Sequence, residues 1–400
     1  MISLDCVLQK ISRESNPTRQ IKVGGRLHDS AVGAIYFAKF SEDNSDVPLI
    51  LKTIDLQTQN LWCITKNNTR STIRGIPSSN ILFLTESKSE AKEWMSLWCT
   101  SDVYSKDRAG ALCGKLCWAV ESVARDKATN LYRVNEYLNE SLVGLLLTEQ
   151  IQLPHIVKTH DAWIKEATGF VLQDYGGTSM YKSMVDLSLA QFKSIVLQVL
   201  ITLSICQEVC AFKHHDVHLE NVFLTNLTSK HIDRGLPMNS KATWCYELAT
   251  SSGPLLFAIQ HHNKLAKLGD FGLSSITDVK TSSRVERADY SILDAGESEW
   301  GEWSGRLECM WPYDALTFLS KFFMDTERSL CHETHSAWAR NLYKEMQTLM
   351  PTVECSVIGR PLRGREGNLK IADLLAKCPS LKEYHYQNHN LDDALYIYKL

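Results

Sequence analysis

Two short segments carry side chains that could do chemistry together: His214-His215-Asp216-Val217-His218-Leu219-Glu220-Asn221 and Asp270-Phe271-Gly272. A carboxylate can accept a hydroxyl proton, and an amide oxygen with a second carboxylate offers hard-oxygen donors to a cation such as Mg²⁺. Such groups act only if their supporting elements hold them in place. Upstream, Phe192, Ile195, Val196, Val199, Leu203 and Cys206 recur at helical spacing, which predicts a buried amphipathic helix. Val222-Phe223-Leu224 reads as a short strand directly after Asn221, and Leu268 leads a further strand into Asp270. Taken singly, each polar residue could do no more than cap a turn.

The order of helix, loop, short strand, strand and Asp-Phe-Gly resembles the catalytic core of the protein kinases. The first segment fits the H-R-D-L-x-x-x-N frame at its His, Asp and Asn positions, and the second fits D-F-G without substitution. The resemblance implies that Asp216 is the catalytic base, that Asn221 and Asp270 hold Mg²⁺, and that ATP is the phosphoryl donor. It also implies an α+β, bilobal protein-kinase-like fold. A small β-rich N-lobe is expected over residues 1–175 and a larger helical C-lobe over residues 176–400.

The nucleotide-binding parts follow from the same resemblance. Leu27–Tyr36 aligns with the G-x-G-x-x-G-x-V loop, with Gly33 as its third glycine and Ile35 as its valine. His28 and Ser30 replace the first two glycines, and side chains there limit how closely the backbone can cover phosphates. Gly24 and Gly25 stand too far from Gly33 to serve instead. Leu49-Ile50-Leu51-Lys52 resembles V-A-I-K, which makes Lys52 the phosphate-binding lysine; in isolation it would read as a surface lysine at a strand end. Its glutamate partner is expected on a helix over 130–150, where Glu136 and Glu140 are available. Glu140 is preferred because Val143 and Leu147 follow it on a similar face. Leu153-Pro154-His155-Ile156-Val157 matches the H-P-N-I-V region beyond that helix. Phe170–Gly177 resembles the inter-lobe hinge, with Gln173 as gatekeeper and the backbone of Asp174 and Gly176 reading the adenine edge. A plain strand and glycine turn is the alternative.

The departures are informative. An inserted subdomain is expected at about 55–130, rich in tryptophan and therefore ordered, and an inserted hairpin at about 225–266 around Ser251-Ser252-Gly253-Pro254. His261 and His262 read as a solvated turn rather than a metal site, since no further spaced ligands accompany them. No A-P-E follows Gly272. Pro312–Leu319 resembles the central helix of the larger lobe, with Asp314 holding the catalytic-loop backbone or capping the helix. His215 replaces the arginine that would bind an activation-loop phosphate, so activation by phosphorylation at that site is not expected. His218 replaces the lysine that contacts the γ-phosphate and joins Asp216 and Lys52 as a catalytic residue. A histidine there is similar to the haspin-like kinases and to the Ser/Thr kinases of large DNA viruses, of herpesvirus and iridovirus type.

Composition adds bounds. With 44% hydrophobic residues and a formal charge of -3, from 43 basic and 46 acidic residues, the chain can bury a large core and lacks the basic excess of a nucleic-acid binder. Twelve cysteines are scattered without zinc-knuckle spacing, Cys206 and Cys210 reading as core filling. No secretory signal and no uninterrupted apolar run of membrane-spanning length is evident, so the sequons at Asn67, Asn139 and Asn226 read as chance matches. The expectation is an intracellular Ser/Thr protein kinase, in cytoplasm or nucleus, of the host cell if viral. It would act on a protein substrate, with no nucleic-acid or membrane partner. A pseudokinase scaffold and a small-molecule kinase of the aminoglycoside or choline type remain open as alternatives.

Overall fold

The computed structural model describes residues 16–30, 33–41, 48–56, 62–65, 70–72, 81–85, 125–165, 168–227, 243–277, 284–285, 312–323, 331–350, 353–355, 361–364, 369–385 and 394–398. Together they make an α+β protein. The chain divides into two compact units. One comprises Met1–Glu149, Lys158–Tyr175 and Phe271–Arg306; the other comprises Gln150–Val157, Gly176–Asp270 and Leu307–Leu400. A single cut after residue 175 does not describe this division, and the reason lies in backbone pairing. Val157 N donates to Leu268 O and Leu268 N to His155 O, which ties 150–157 to the second unit. In the first unit, Asn139 Nδ2 donates to Ser274 O, which ties in the segment beyond Gly272.

In the first unit, β1 (Ile21–Ser30), β2 (Gly33–Phe40) and β3 (Leu49–Asp55) begin an antiparallel sheet. β4 (Trp62–Thr65), β5 (Arg70–Thr72) and β6 (Ile81–Thr85) form a separate three-stranded sheet inside the expected insertion. The rest of that insertion up to the next helix, with Trp94, Trp98, Trp118, Cys99, Cys113 and Cys117, lies outside the described residues. β7 (Thr159–Lys165) and β8 (Thr168–Asp174) complete the first sheet in the order β1-β2-β3-β8-β7.

Alternation gives this sheet two faces. Ala38, Leu49, Leu51, Trp163 and Leu172 gather on one, with Tyr36, Phe40 and Phe170 packed against them. Ile35 pairs with Lys52, and Lys52 with Val171, so these side chains share the opposite face. Helix α1 (Arg125–Gln150) packs onto the sheet with Tyr137, Val143 and Leu147 fully buried. Its approach is close enough that a Cβ at Gly144 would overlap Thr159 Oγ1, so only glycine fits there.

The second unit is built around α2 (Leu189–Cys210). Ser188 and Gln191 form a reciprocal capping box at its start, and Ala211 ends it with φ 48°. The helix is buried on nearly all sides from Phe192 to Gln207, more than the one apolar face expected from its spacing. By length and composition it could cross a bilayer, yet 78% of its apolar window is buried within the protein, the pattern of a core helix. Each fully buried Leu, Ile or Phe contributes roughly 2 kcal/mol, which makes this helix the main apolar element of the unit. Its buried Gln198 is satisfied by Ala266 N, donating to Oε1, and by Lys264 O, accepting from Nε2.

Those two partners lie on a strand beside the helix. β9 (Thr178–Ser179), β10 (Val222–Asn226) and β13 (Lys264–Leu268) form one small sheet, while β11 (Thr243–Thr250) and β12 (Gly253–Gln260) form the expected inserted hairpin. The strand Ala394–Tyr398 adds to β11 in parallel. Helices α3 (Tyr313–Ser320), α4 (Glu333–Thr348) and α5 (Ile371–Lys377) follow, and Asp373 Oδ1 accepts from Ser251 N at the hairpin turn.

The turn after β12 corrects one expectation. His262 and Asn263 adopt φ 48° and 59°, as a tight turn of primed type requires, but His261 is fully buried and stacked on Trp244 at 4.6 Å rather than solvated. Among the described residues no group of three or more His, Cys, Asp or Glu side chains gathers that could hold a metal ion.

Candidate active site

The loop after α2 is held from two sides, all within the second unit. Asp314, in the first turn of α3, accepts from His214 N at 2.7 Å and His215 N at 2.9 Å. It therefore holds the loop backbone rather than capping its own helix, where Pro312 takes the N-cap position. Burial raises the Asp314 carboxyl pKa, against the lowering effect of His214, the two N–H donors and Lys213. On the other side, β10 and β13 pair Val222 with Leu268. Just beyond that pair, Gly269 N donates to Asn221 O at 3.1 Å, while His214 Nε2 donates to Gly269 O at 3.0 Å. A ring nitrogen facing a carbonyl must carry the proton, which defines the His214 tautomer. Asp270 comes immediately after this double clamp.

Two residues here sit in the left-handed region without being glycine: His215 at φ 64° and Asp270 at φ 61°. That backbone costs about 1–2 kcal/mol per residue and persists only where surroundings impose it. The Asp314 hydrogen bonds impose it at His215, beside Asp216, and the Gly269 clamp adjoins Asp270.

Asp216 is half-buried. Asn221 Nδ2 donates to Asp216 O at 3.0 Å and to Asp216 Oδ2 at 3.3 Å, which directs the amide oxygen of Asn221 the other way. His218 Nδ1 accepts from Glu220 N at 3.3 Å, so its Nε2 carries the proton in the neutral ring and lies 3.5 Å from Asp216 Oδ2. Burial pushes the Asp216 pKa up, but the His218 hydrogen bond and the charges of His218, His214 and Lys321 outweigh it, leaving the carboxyl below its ordinary range. Asn221 is buried and Asp270 exposed. An amide oxygen and a carboxylate fit Mg²⁺, which binds through one or two protein oxygens while phosphates and water complete its shell.

The first unit holds Gly33, Ile35, Lys52, Glu140 and Asp174. Lys52 is 7% exposed, and its Nζ lies 3.9 Å from Oε2 of Glu140, itself 1% exposed. The choice of Glu140 is matched by this ion pair, whereas the Glu136 side chain lies outside the described residues. Ile35 and Val171 flank Lys52 on the same sheet face. Gly33 pairs with Ser30 and with Ile54, and a Cβ on it would overlap the Thr53 carbonyl, so the sheet itself requires glycine there. Gly24 and Gly25 fall in an irregularity of β1 between Val23 and Arg26.

Asp174 and Gly176 are drawn into different units by the boundary after Tyr175. Asp174 N donates to Lys158 O and Asp174 Oδ1 meets His160 Nε2 at 2.8 Å, while Gly176 O accepts from Thr225 Oγ1. Two contacts had no signal in the sequence. Gln173 Nε2 donates to Glu140 Oε1 at 2.9 Å, and buried Asn139 donates to Ser274 O, which occupies the amide of that sequon in the interior. Neither partner could be foreseen, because each lies on an element distant in the chain.

No protein-family model matches the chain, and no curated protein shows significant similarity to it.

Proposed function

We propose that the chain is an ATP- and Mg²⁺-dependent serine/threonine protein kinase of the divergent branch similar to the haspin-like kinases and the kinases of large DNA viruses. The observation that carries this reading is the buried Lys52–Glu140 pair at 3.9 Å. Desolvation offsets most of the attraction within such a pair, so stability alone gives little reason to keep it. A cation held at a sheet face beside Ile35 and Val171 instead suits a nucleotide, whose base takes apolar contacts and whose phosphates need positive charge.

In this reading the two units are the lobes of a bilobal kinase fold. Lys52, steadied by Glu140, meets the α- and β-phosphates; Ile35 packs on the base; and Gly33 with the backbone of Asp174 and Gly176 completes the nucleotide contacts. Asn221, through its amide oxygen, and Asp270, through its carboxylate, would hold Mg²⁺, which when bound would supply positive charge to offset that of the phosphates. Asp216 orients the substrate hydroxyl and takes its proton as the oxygen attacks the γ-phosphorus and ADP departs. Its lowered pKa keeps it ionised at neutral pH. His218, at the position where the kinases it resembles carry a lysine, keeps its Nε2 on Asp216 Oδ2 at 3.5 Å and so helps hold that carboxylate ionised. Phosphoryl transfer asks little covalent chemistry of a protein, so positioning of this kind supplies most of the rate. The reading carries with it a protein substrate, no nucleic-acid or membrane partner, and an intracellular setting in cytoplasm or nucleus, that of the host cell if the chain is viral.

The test is transfer of label from [γ-³²P]ATP to a library of Ser-, Thr- and Tyr-containing peptides. Wild-type protein should label Ser or Thr peptides, and Asp216→Asn should lower the rate by roughly two to four decades while still unfolding cooperatively. Equal labelling by both proteins, or labelling of small alcohols and no peptide, overturns the reading.

A further inference from the structure

The side chain of Gln173 lies at the end of β8, 4% exposed, on the sheet face that α1 covers. Its Nε2 donates to Glu140 Oε1 at 2.9 Å and to Thr159 Oγ1 at 3.2 Å. An ionised carboxylate only accepts hydrogen bonds, so the nitrogen of the amide must be the atom that faces Glu140, and both its hydrogens are then engaged. Thr159 is itself held in place: its N–H donates to Thr148 Oγ1 at 2.8 Å, and Thr148 Oγ1 donates to Gly144 O at 2.8 Å. One residue before Glu140, Asn139 Nδ2 donates to Ser274 O at 3.1 Å in the interior. Helix α1 is thus pinned at two successive residues, and Glu140 is held by one oxygen while the other lies 3.9 Å from Lys52 Nζ.

We propose that Gln173 is a positioning residue, whose amide orients the Glu140 carboxylate and through it determines where Lys52 presents its ammonium to the phosphates of a nucleotide. Only the last step rests on the kinase reading; the link from Gln173 through Glu140 to Lys52 stands on geometry. An apolar residue of similar size would fill the same space but leave Glu140 Oε1 without this donor.

The experiment compares the full-length wild type with Gln173→Met and Thr159→Val, the latter removing Gln173's second acceptor with little change of shape. Two quantities are measured: Kd for ATP with Mg²⁺ against Kd for adenosine, and the rate at which acetic anhydride acetylates Lys52, read by peptide mass spectrometry. Gln173→Met should weaken ATP about tenfold, the factor for losing one hydrogen bond to a charged group, while adenosine stays within about twofold. Lys52 acetylation should quicken several-fold, because an ammonium freed from a fixed carboxylate loses its proton more readily. Thr159→Val should act in the same sense and less strongly, and it carries the same measurements if Gln173→Met does not fold. Equal weakening of ATP and adenosine would make Gln173 a wall of the base pocket and overturn the proposal, as would unchanged ATP affinity. If wild-type protein binds neither ligand, the kinase reading fails by itself. Lys52 acetylation then decides the geometric link: faster in the variants sustains it, unchanged removes it.

Discussion

At the scale of single residues, the two groups of candidate residues use charge differently. Asp216 is half-buried and kept ionised by His218 and by the more distant charges of His214 and Lys321, which outweigh the cost of its burial. Lys52 and Glu140 are both withdrawn from water and depend on each other and on Gln173. Removing one member of such a pair leaves a buried charge uncompensated, whereas removing both does not. Lys52→Met should therefore lower unfolding stability by about 3 kcal/mol in urea titrations, and Lys52→Met with Glu140→Met should recover most of it. The proposed phosphoryl transfer should be lost in both. A double variant as unstable as the single one would show that the pair is held by something other than mutual compensation.

At the scale of elements, α3 matters through one side chain. Asp314 reaches from its first turn to two consecutive backbone N–H groups of the loop, and one of these belongs to His215, whose φ of 64° would otherwise relax. Asp314→Ala leaves both donors without this acceptor in a buried setting, which should cost about 2–3 kcal/mol and reduce the proposed transfer, while Asp314→Asn, retaining one acceptor oxygen, should lose less. Urea unfolding followed alongside peptide phosphorylation separates the two effects. Stability lost with kcat intact would mean that the loop keeps its shape unaided. The same element was expected at Pro312–Leu319 through its resemblance to a kinase helix, whereas the local pattern alone gave Asp314 only the role of a helix cap. Gln173 was read as a gatekeeper by resemblance, but its hydrogen-bond acceptors could not be read, since they come from α1 and β7.

At the scale of the whole molecule, buried histidines couple stability to pH. His155 donates from Nδ1 to Ala266 O at 2.9 Å and accepts from the Tyr246 hydroxyl at 2.6 Å. Burial lowers its pKa to about 4, with Lys267 acting in the same direction and the Ala266 hydrogen bond against it. Burial shifts His262, His335 and His385 downward as well. Between about pH 4 and 6.5 the unfolded chain takes up a proton at His155 that the folded chain refuses, so stability rises with pH across that window. The contribution of His155 is present above 6.5 and is lost toward pH 4, by about 3 kcal/mol. Urea unfolding at pH 4.5 and 7 should show this slope, and His155→Gln should flatten it; an equal slope in the variant would assign the effect to the other histidines.

The sequence by itself determined what depends on near neighbours. Resemblance to short motifs singled out Lys52 and Ile35, helical spacing favoured Glu140, and turn residues marked the β11–β12 hairpin. Asp216, Asn221 and Asp270 were likewise singled out as candidates by type and spacing. Tertiary structure alone decided the partners of buried polar groups: Gln173 on Glu140, Asn139 on the Ser274 carbonyl, Tyr246 on His155. It also decided that His261 lies in the core and that α2 is enclosed on nearly all sides. The physical reason is common to these cases. Periodicity and turn chemistry act over a few residues, whereas a buried donor takes whichever acceptor the packing of distant elements brings within reach, and no local pattern encodes that choice.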